Sequence, residues 1–367
     1  LKQCNYLEVD MELTKSQIKS TKGIAILFML LLHLFCTKAY EGVFTPILFI
    51  GDVPLIYYFA LFGDCCVVIY CFCSGYGLFL SYENNSRNYN RNNIIRILKL
   101  YINTWIVVLL FVIILGLLTR NPSVYPINIK TLLLTVTLIN PAYNGAWWFL
   151  TTYVLLVMVS SIINKIVKKY NTAVIIFISF TIYIIAYVQR MKGVLYFDNV
   201  ILNYIVRQLA LLGTALFPYI IGAIFAYKKI YSKIYKLLNK LKCKNILILA
   251  LITLMILAHG IVQTLFVAVF TGIAFICLFN LLDKPKWIDK MFLYLSNHST
   301  NMWLIHMFIY MVYFKNIVFA AKYPIMIYIW LIILCLISSY IVKFIYNPII
   351  KLLDMKMNTI KIKEINV

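Results

Sequence analysis

Two histidines lie inside apolar stretches of the chain. His33 follows Lys22 by eleven residues, which in a helix is three turns and about 16 Å of rise, so both residues lie on one face. Ser299, Trp303 and His306 share another helix face through i, i+4, i+7 spacing. Ionisable side chains at bilayer depth are costly and by default indicate function. Imidazole is the usual general base, so the chemistry indicated is removal of a proton from a hydroxyl.

Each histidine also has a purely structural interpretation. His33 can be a packing residue hydrogen-bonded to a neighbouring carbonyl, with Lys22 extending its amine to the interface. His306 can form a hydrogen bond with a Ser or Tyr of another helix. The helices that carry His33 and His306 are expected to run in the same direction, which places the two imidazoles at similar depth. The sequence leaves open whether they share a polar cavity.

Two further groups of residues can bind a phosphorylated or extended ligand near the inner face. Arg91, Arg96 and Lys99 form a basic cluster that fits either a phosphate site or an ordinary positive-inside loop. Ser74 and Gly75 belong to CFCSGYGLFL, where small residues either let helices approach closely or make room for a ligand.

Trp147 and Trp148 open an apolar run at the predicted outer face. Paired tryptophans are typical of the aromatic belt at a membrane interface. They are also suited to stacking on a sugar ring. Both interpretations remain open from the sequence.

Composition identifies the class of protein. The 367 residues are 63% hydrophobic and 13% charged, whereas soluble domains are about 45–50% apolar and about 25% charged. The formal net charge of +22 comes from Lys and Arg in short connections between apolar runs, which indicates topology-setting charge and no nucleic-acid partner. The nine cysteines lie mostly inside apolar runs, so we expect free thiols and no metal site.

Ten apolar runs account for the membrane helices, since a span needs about 20 apolar residues. They cover residues 23–37, 65–81, 97–118, 147–167, 172–188, 205–227, 246–258, 261–282, 293–314 and 325–345. The first and seventh are short and should extend into polar flanks, whereas TLLLTVTLIN at 131–140 is expected to be interfacial. With the N-terminus in the cytoplasm, most of the 34 Lys and Arg fall on the inner side. The sequence predicts an all-α, polytopic membrane helix bundle of about ten transmembrane helices, with both termini cytoplasmic and one domain over 1–367.

The motifs together resemble the acyltransferase 3 family of integral membrane O-acyltransferases. KGIAILFMLLLHLF resembles the family's basic-residue-x10-His element, with Lys22 and His33 in place. CFCSGYGLFL, WWFLTTY and STNMWLIHMFI are similar to its second-helix Ser-Gly block, its Trp-Phe-Leu block and its late Trp-Leu-x-His element. One element departs: where many members have Arg-x-x-Arg, this chain has Asn93-x-x-Arg96 or Arg96-x-x-Lys99.

The resemblance implies transfer of an acyl group, usually acetyl, from cytoplasmic acyl-CoA to a hydroxyl of a cell-surface glycan such as an exopolysaccharide. It implies His33 and His306 as catalytic residues, and Trp147 and Trp148 as acceptor-binding residues. The residues implied to bind acyl-CoA are Lys22, Arg96, Lys99, Ser74 and Gly75. Acetyl-CoA is then a substrate, with no bound cofactor, and the location is a bacterial plasma membrane.

Two other classes of function fit the same composition. One is a structural or assembly subunit in which both histidines merely pack, and the other is a transporter. A transporter or flippase for a lipid-linked or sugar substrate also places rare polar residues at mid-depth. Such proteins often carry inverted repeats and broken helices, and no clear repeat is visible in the sequence. The acceptor glycan, the acyl group and the oligomeric state are left open.

Overall fold

The computed structural model describes residues 12–365, without the side chains of residues 356–365. Both chain ends, which we predict to be cytoplasmic, lie outside the described residues. The α-helices in chain order are α1 (Lys15–Phe35), α2 (Leu55–Leu61), α3 (Cys65–Asn84), α4 (Tyr89–Val107), α5 (Leu115–Thr119), α6 (Ile129–Val136), α7 (Trp148–Lys169), α8 (Thr172–Lys192), α9 (Val200–Lys228), α10 (Ile230–Leu238), α11 (Lys244–Ile261), α12 (Leu265–Leu281), α13 (Lys286–Met307), α14 (Lys315–Phe319) and α15 (Pro324–Ile365).

A few shorter elements interrupt or connect these helices. Strands β1 (Phe49–Ile50) and β2 (Val53–Pro54) form an antiparallel pair before α2. Single 3₁₀ turns cover Phe62–Asp64 and Gly145–Trp147. π-helical segments cover Val108–Ile114, between α4 and α5, and Phe308–Tyr313, directly after α13. None of these elements was predicted from the sequence.

The fold class is confirmed as an all-α polytopic membrane bundle. Each of the ten predicted runs coincides with a helix, and eight helical stretches of the described chain are long and apolar enough to span a bilayer. Of the other two, α12 is apolar but has 17 residues, and α13 carries the polar sequence SNHSTN. The run at 131–140 forms only α6, whose eight residues are too few to span.

Most helices extend beyond their predicted apolar runs, whereas α12 is shorter than its run of 261–282. The first and seventh runs extend into polar flanks as α1 and α11, which confirms that expectation. The predicted starts at 97 and 293 are wrong, because α4 already begins at Tyr89 and α13 at Lys286. Hydropathy marks the hydrocarbon layer alone, whereas helical hydrogen bonding continues into the interfacial region.

The chain divides into two compact units, and three of the five boundaries between them fall inside α1, α7 and α13. The first contains Leu1–Ala25, Asp64–Ser86 and Ser160–Ser296, and the second contains Ile26–Gly63, Arg87–Val159 and Asn297–Val367. In the first unit α9 packs extensively against both α3 and α8. Two thirds of the apolar window of α9 is buried, against 22% for α8 and for α11.

Close packing of α3 against α9 depends on two glycines that face each other's helix. A Cβ atom added to Gly75 would collide with the backbone carbonyl of Tyr219 on α9. In the reciprocal contact, a Cβ on Gly222 would collide with the backbone carbonyl of Phe72 on α3. Since backbone atoms cannot move aside as a flexible side chain can, both positions require glycine.

Gly75→Ala should therefore destabilise the protein, whereas Gly77→Ala should not. Overpacking of a tight contact costs about 1–3 kcal/mol. Gly77 lies on the same helix with nothing within 4 Å of an added Cβ, and alanine favours a helix by about 0.5–1 kcal/mol over glycine. The melting temperatures of the two purified variants in detergent test this. Equal melting temperatures would contradict the assigned role of Gly75.

In the second unit, side chains hold the short α6 and the two π-helical segments. The Nε1 of Trp105 on α4 donates to the carbonyl of Val136 at 2.8 Å, which places the end of α6 beside α4. Tyr313 donates its hydroxyl to the carbonyl of Phe111, so a side chain from one π-helical segment contacts the backbone of the other. Asn121 donates to the carbonyl of Val312 at 2.7 Å. π-Helical turns are rare and occur frequently at functional sites.

Candidate functional site

The second unit brings the two intramembrane histidines together. His33 lies near the end of α1 and His306 near the end of α13, and their ring centroids are 4.9 Å apart at an interplanar angle of 47°. His306 is fully buried, whereas His33 is partly exposed. This adjacency confirms that the two imidazoles lie at one level within the bundle. Of the two, His33 is therefore the one that a substrate can approach.

The protonation of His306 follows from its hydrogen bond. Its Nδ1 lies 2.7 Å from the carbonyl oxygen of Trp303. A carbonyl can only accept, so Nδ1 must carry the proton, and in the neutral ring Nε2 then has the lone pair. This Nε2 is buried and has no hydrogen-bond partner. A buried acceptor without a partner costs about 1–3 kcal/mol, so any N–H or O–H that reaches Nε2 is bound favourably.

Neighbouring aromatic rings and backbone contacts fix where the histidines lie. Tyr310 stacks on His306 with ring centroids 6.0 Å apart. On α1, the carbonyl of Leu27 accepts a hydrogen bond of 2.8 Å from the hydroxyl of Tyr328 on α15. The turn at Gly63 packs so closely on α1 that an added Cβ would collide with the carbonyl of Phe28. The turn of α1 that precedes His33 is therefore held from two directions.

Two basic residues of α4, Arg96 and Lys99, have partners in the second unit. Arg96 donates from Nη1 to the Oδ1 of Asn93 at 2.5 Å, so the Asn-x-x-Arg departure from the family pattern forms a hydrogen-bonded pair. Lys99 forms an ion pair with Asp354 of α15, with Nζ–O distances of 2.8 and 2.9 Å. All of these side chains except Asn93 are partly exposed. A phosphate can therefore reach both cations.

The remaining predicted donor-binding residues belong to the first unit. The carbonyl of Lys22 accepts a hydrogen bond of 3.2 Å from the Tyr70 hydroxyl, and the Lys22 side chain is partly exposed. Ser74 donates its hydroxyl to the carbonyl of Tyr70 at 2.7 Å, within α3. Gly75 faces the α9 backbone as described. These contacts are those of helix packing, and a contact with acyl-CoA stays a prediction for all three predicted residues.

The two tryptophans of the WWFLTTY segment have different surroundings. Trp147 is fully buried, and its Nε1 donates to the carbonyl of Leu304 at 3.0 Å. Its ring packs edge-on against Phe308, with centroids 5.6 Å apart. Trp148 is partly exposed and begins α7. Trp147 thus helps to position α13 near His306, and stacking on an acceptor sugar stays a prediction for both residues.

Sequence reasoning missed the hydrogen-bond or ion-pair partners of Lys99, Arg96 and His306. Asp354 has no local signal, because it pairs with Lys99 across 255 positions of sequence. The pairing of Asn93 with Arg96 was accessible, since residues at i and i+3 are neighbours on a helix. The same holds for the carbonyl of Trp303, three residues before His306.

Comparison with known proteins identifies a family. The acyltransferase 3 family model, described as an acyltransferase domain, matches residues 16–345. Searches among characterised proteins and among solved structures gave no significant match. The family match covers most of the chain, including both histidines and the basic residues of α4, and the helices are those of a multi-pass membrane protein. The chain therefore belongs to the acyltransferase 3 family and is a membrane acyltransferase.

Proposed function

We propose that the protein transfers an acyl group, most simply acetyl, from cytoplasmic acyl-CoA to a hydroxyl of a glycan destined for the surface of a bacterial cell. The observation that carries this proposal is the pairing of His33 with His306 inside the membrane-spanning part of an acyltransferase. A mid-membrane imidazole is suited to join a donor from one side of a plasma membrane to an acceptor from the other.

His33 is the general base of the proposed reaction. It takes the proton of the acceptor hydroxyl while the hydroxyl oxygen attacks the carbonyl carbon of the thioester. A C–O bond forms, the tetrahedral intermediate expels the CoA sulfur as the C–S bond breaks, and the proton passes from His33 to the thiolate. The products are an ester and free CoA, no redox change occurs, and His33 returns to its neutral form.

His306 is a positioning residue in this scheme. The lone pair on its buried Nε2 can accept the N–H of His33, whose ring centre is 4.9 Å away. That hydrogen bond leaves the second nitrogen of His33 as the base and stabilises the imidazolium that forms during attack. No carboxylate is needed for this orientation, because the Trp303 carbonyl fixes the His306 proton on Nδ1.

Arg96 and Lys99 bind the phosphates of the donor in this proposal. Arg96 is preferred for direct contact, because its partner Asn93 is uncharged and leaves the guanidinium charge uncompensated, whereas the charge of Lys99 is already neutralised by Asp354. Trp148, the partly exposed member of the pair, is the better candidate for contact with the acceptor.

Arg96→Ala should raise the KM for acetyl-CoA by about tenfold and change kcat little, because a charge-assisted hydrogen bond to a phosphate contributes about 1.5–3 kcal/mol. The effect should shrink at high salt, which screens partly exposed charges. Steady-state kinetics in nanodiscs, with each substrate varied separately, measures it. Lys168→Ala, which removes a lysine paired with Glu83 at 2.8 Å, is the matched control. A change confined to the KM of the acceptor would contradict the proposed donor site.

Purified protein with radiolabelled acetyl-CoA tests the function as a whole. Slow release of CoA, and transfer of label to a glycan from the same cell, are the expected results. The opposing result is flux of a sugar or lipid-linked substrate in proteoliposomes that contain no acyl donor, with no release of CoA. That result would assign the protein to transport.

A further inference from the structure

A chain of buried polar side chains in the second unit lies between the basic residues of α4 and the two histidines. Asn103 on α4 donates from Nδ2 to the Oδ1 of Asn301 on α13 at 2.7 Å. Asn301 in turn has a long contact of 3.4 Å from Nδ2 to the carbonyl of Ser339 on α15. The Oγ of Ser339 lies 2.9 Å from the Nδ1 of His298. Three helices thus meet at a polar layer that the catalytic scheme does not use.

Two atoms of this layer have unused hydrogen-bonding capacity. The Oδ1 of Asn103 is buried and has no hydrogen-bond partner, and the whole residue is only 7% exposed. The Nδ2 of Asn301 makes only the 3.4 Å contact, which is at the limit of a hydrogen bond. Buried polar groups are nearly always satisfied, so an acceptor without a partner beside an underused donor needs an explanation. Together the two atoms are complementary to one secondary amide, which offers one N–H and one C=O.

The position of the layer matches a linear ligand held at one end by Arg96. Asn103 follows Arg96 by seven residues, which keeps it on the same helix face about 10 Å further along α4. His306 follows Asn301 by five residues, about 7.5 Å along α13. The combined rise along the two helices from Arg96 to His306 is therefore roughly 18 Å. The arm that joins the phosphate to the thioester in an acyl-CoA is on the order of 15 Å when extended, given bonds of about 1.5 Å, and it contains two secondary amides.

We propose that Asn103 and Asn301 form an amide-binding subsite for the arm of the acyl donor, in which Asn103 Oδ1 accepts an amide N–H and Asn301 Nδ2 donates to an amide carbonyl. This subsite rests on the proposed function, since it takes the donor of that reaction as its ligand. The mutual hydrogen bond, from Asn103 Nδ2 to Asn301 Oδ1, uses the other two amide atoms and can remain in place when the ligand binds. The subsite then fixes the distance of the thioester from the bound phosphates.

The simplest alternative is that the two asparagines only join α4 to α13. Polar side chains do connect helices in membranes, and Asn103 with Asn301 satisfies that description. A purely structural pair does not account for the unpaired Oδ1 of Asn103, which a Leu at the same position would avoid. The two interpretations differ in whether the weaker use of acetyl-CoA by an Asn103 variant depends on the amides of the donor.

The test combines Asn103→Leu with two acetyl-CoA analogues, in each of which one amide N–H is replaced by an ester oxygen. For the wild type, KM should rise about tenfold with one analogue and little with the other. Asn103→Leu should raise the KM for acetyl-CoA about tenfold, yet show no further rise with the sensitive analogue, because the same hydrogen bond is already lost. Asn103→Ser is measured in parallel in case the larger side chain disturbs folding, and Thr104→Val is the control for loss of a neighbouring buried polar group.

Several results would overturn the subsite. One is an unchanged KM for acetyl-CoA in both Asn103 variants. Another is a further rise in KM when Asn103→Leu is assayed with the sensitive analogue, so that the effects of the mutation and of the analogue multiply. Calorimetric binding of CoA itself separates this failure from failure of the proposed function. A wild type that binds CoA more tightly than Asn103→Leu, yet turns over no acetyl-CoA, would contradict the reaction and support the subsite. A wild type that neither binds nor turns over the donor would contradict both.

Discussion

His33→Ala should lower kcat/KM for acyl transfer by about 10²–10⁴-fold, the usual loss when a positioned general base is removed. The variant should still insert into the membrane and accumulate, because His33 is partly exposed and its removal leaves α1 held through Leu27 and Phe28. Release of CoA from radiolabelled acetyl-CoA, in nanodiscs at a matched protein concentration, is the measurement. The rise of the wild-type rate with pH, which reflects the neutral imidazole, should disappear in the variant.

His259→Asn serves as the histidine control for this experiment. His259 is 1% exposed and its Nδ1 lies 3.0 Å from the Oγ1 of Thr271, so it is a buried histidine of the first unit with a structural partner. It should retain most of the acyltransferase activity. If His33→Ala instead keeps more than about a tenth of the wild-type rate, His33 is not the general base, because a general base normally contributes 10²-fold or more.

His306→Ala should lower kcat/KM by about 10–100-fold, the equivalent of a hydrogen bond of about 1.5–3 kcal/mol to a charged group. The loss should fall on kcat, because the interaction is strongest when His33 is protonated during attack. His306→Gln should restore part of the activity, since its amide oxygen can accept the N–H of His33 in place of Nε2. If His306 only filled space, His306→Gln would not regain activity through a hydrogen bond that His306→Ala lacks.

The double variant separates a shared site from two independent sites. Residues that act as one unit are not additive, so His33→Ala with His306→Ala should be little slower than His33→Ala alone. Both single variants and the double variant are compared in one preparation, with melting temperatures to exclude unfolding. Losses that multiply would mean that His306 contributes by some route other than His33.

The parts of this structure that could be predicted from sequence are those set by the bilayer itself. The hydrocarbon layer requires long apolar helices, which is why ten runs coincide with ten helices. The same constraint makes the rare polar residue informative. His33 and His306 were expected at similar depth because their helices run in the same direction, and their rings are indeed neighbours.

The parts that could not be predicted depend on pairing across distant sequence. Nothing near Lys99 indicates that Asp354 will neutralise it, and no periodicity indicates the layer formed by Asn103 and Asn301. The π-helical segments were also missed, because each changes the hydrogen-bond register without changing the apolar character of the sequence. Hydropathy therefore locates the two histidines along the membrane normal, but it does not determine what lies beside them.

The unequal burial of the helices has a consequence for how the family diverges. Only 22% of the apolar window of α8 and of α11 is buried, whereas α9 is two thirds buried and meets α3 backbone to backbone. Lipid tails are as apolar as leucine and adapt to any side-chain shape, so an exchange among Ile, Leu, Val and Phe at an exposed position of α8 or α11 is close to neutral. Natural selection there preserves hydrophobicity alone, and mutations should accumulate quickly. On α3 and α9 it also preserves shape, so these helices should change slowly between species even though neither carries the paired histidines.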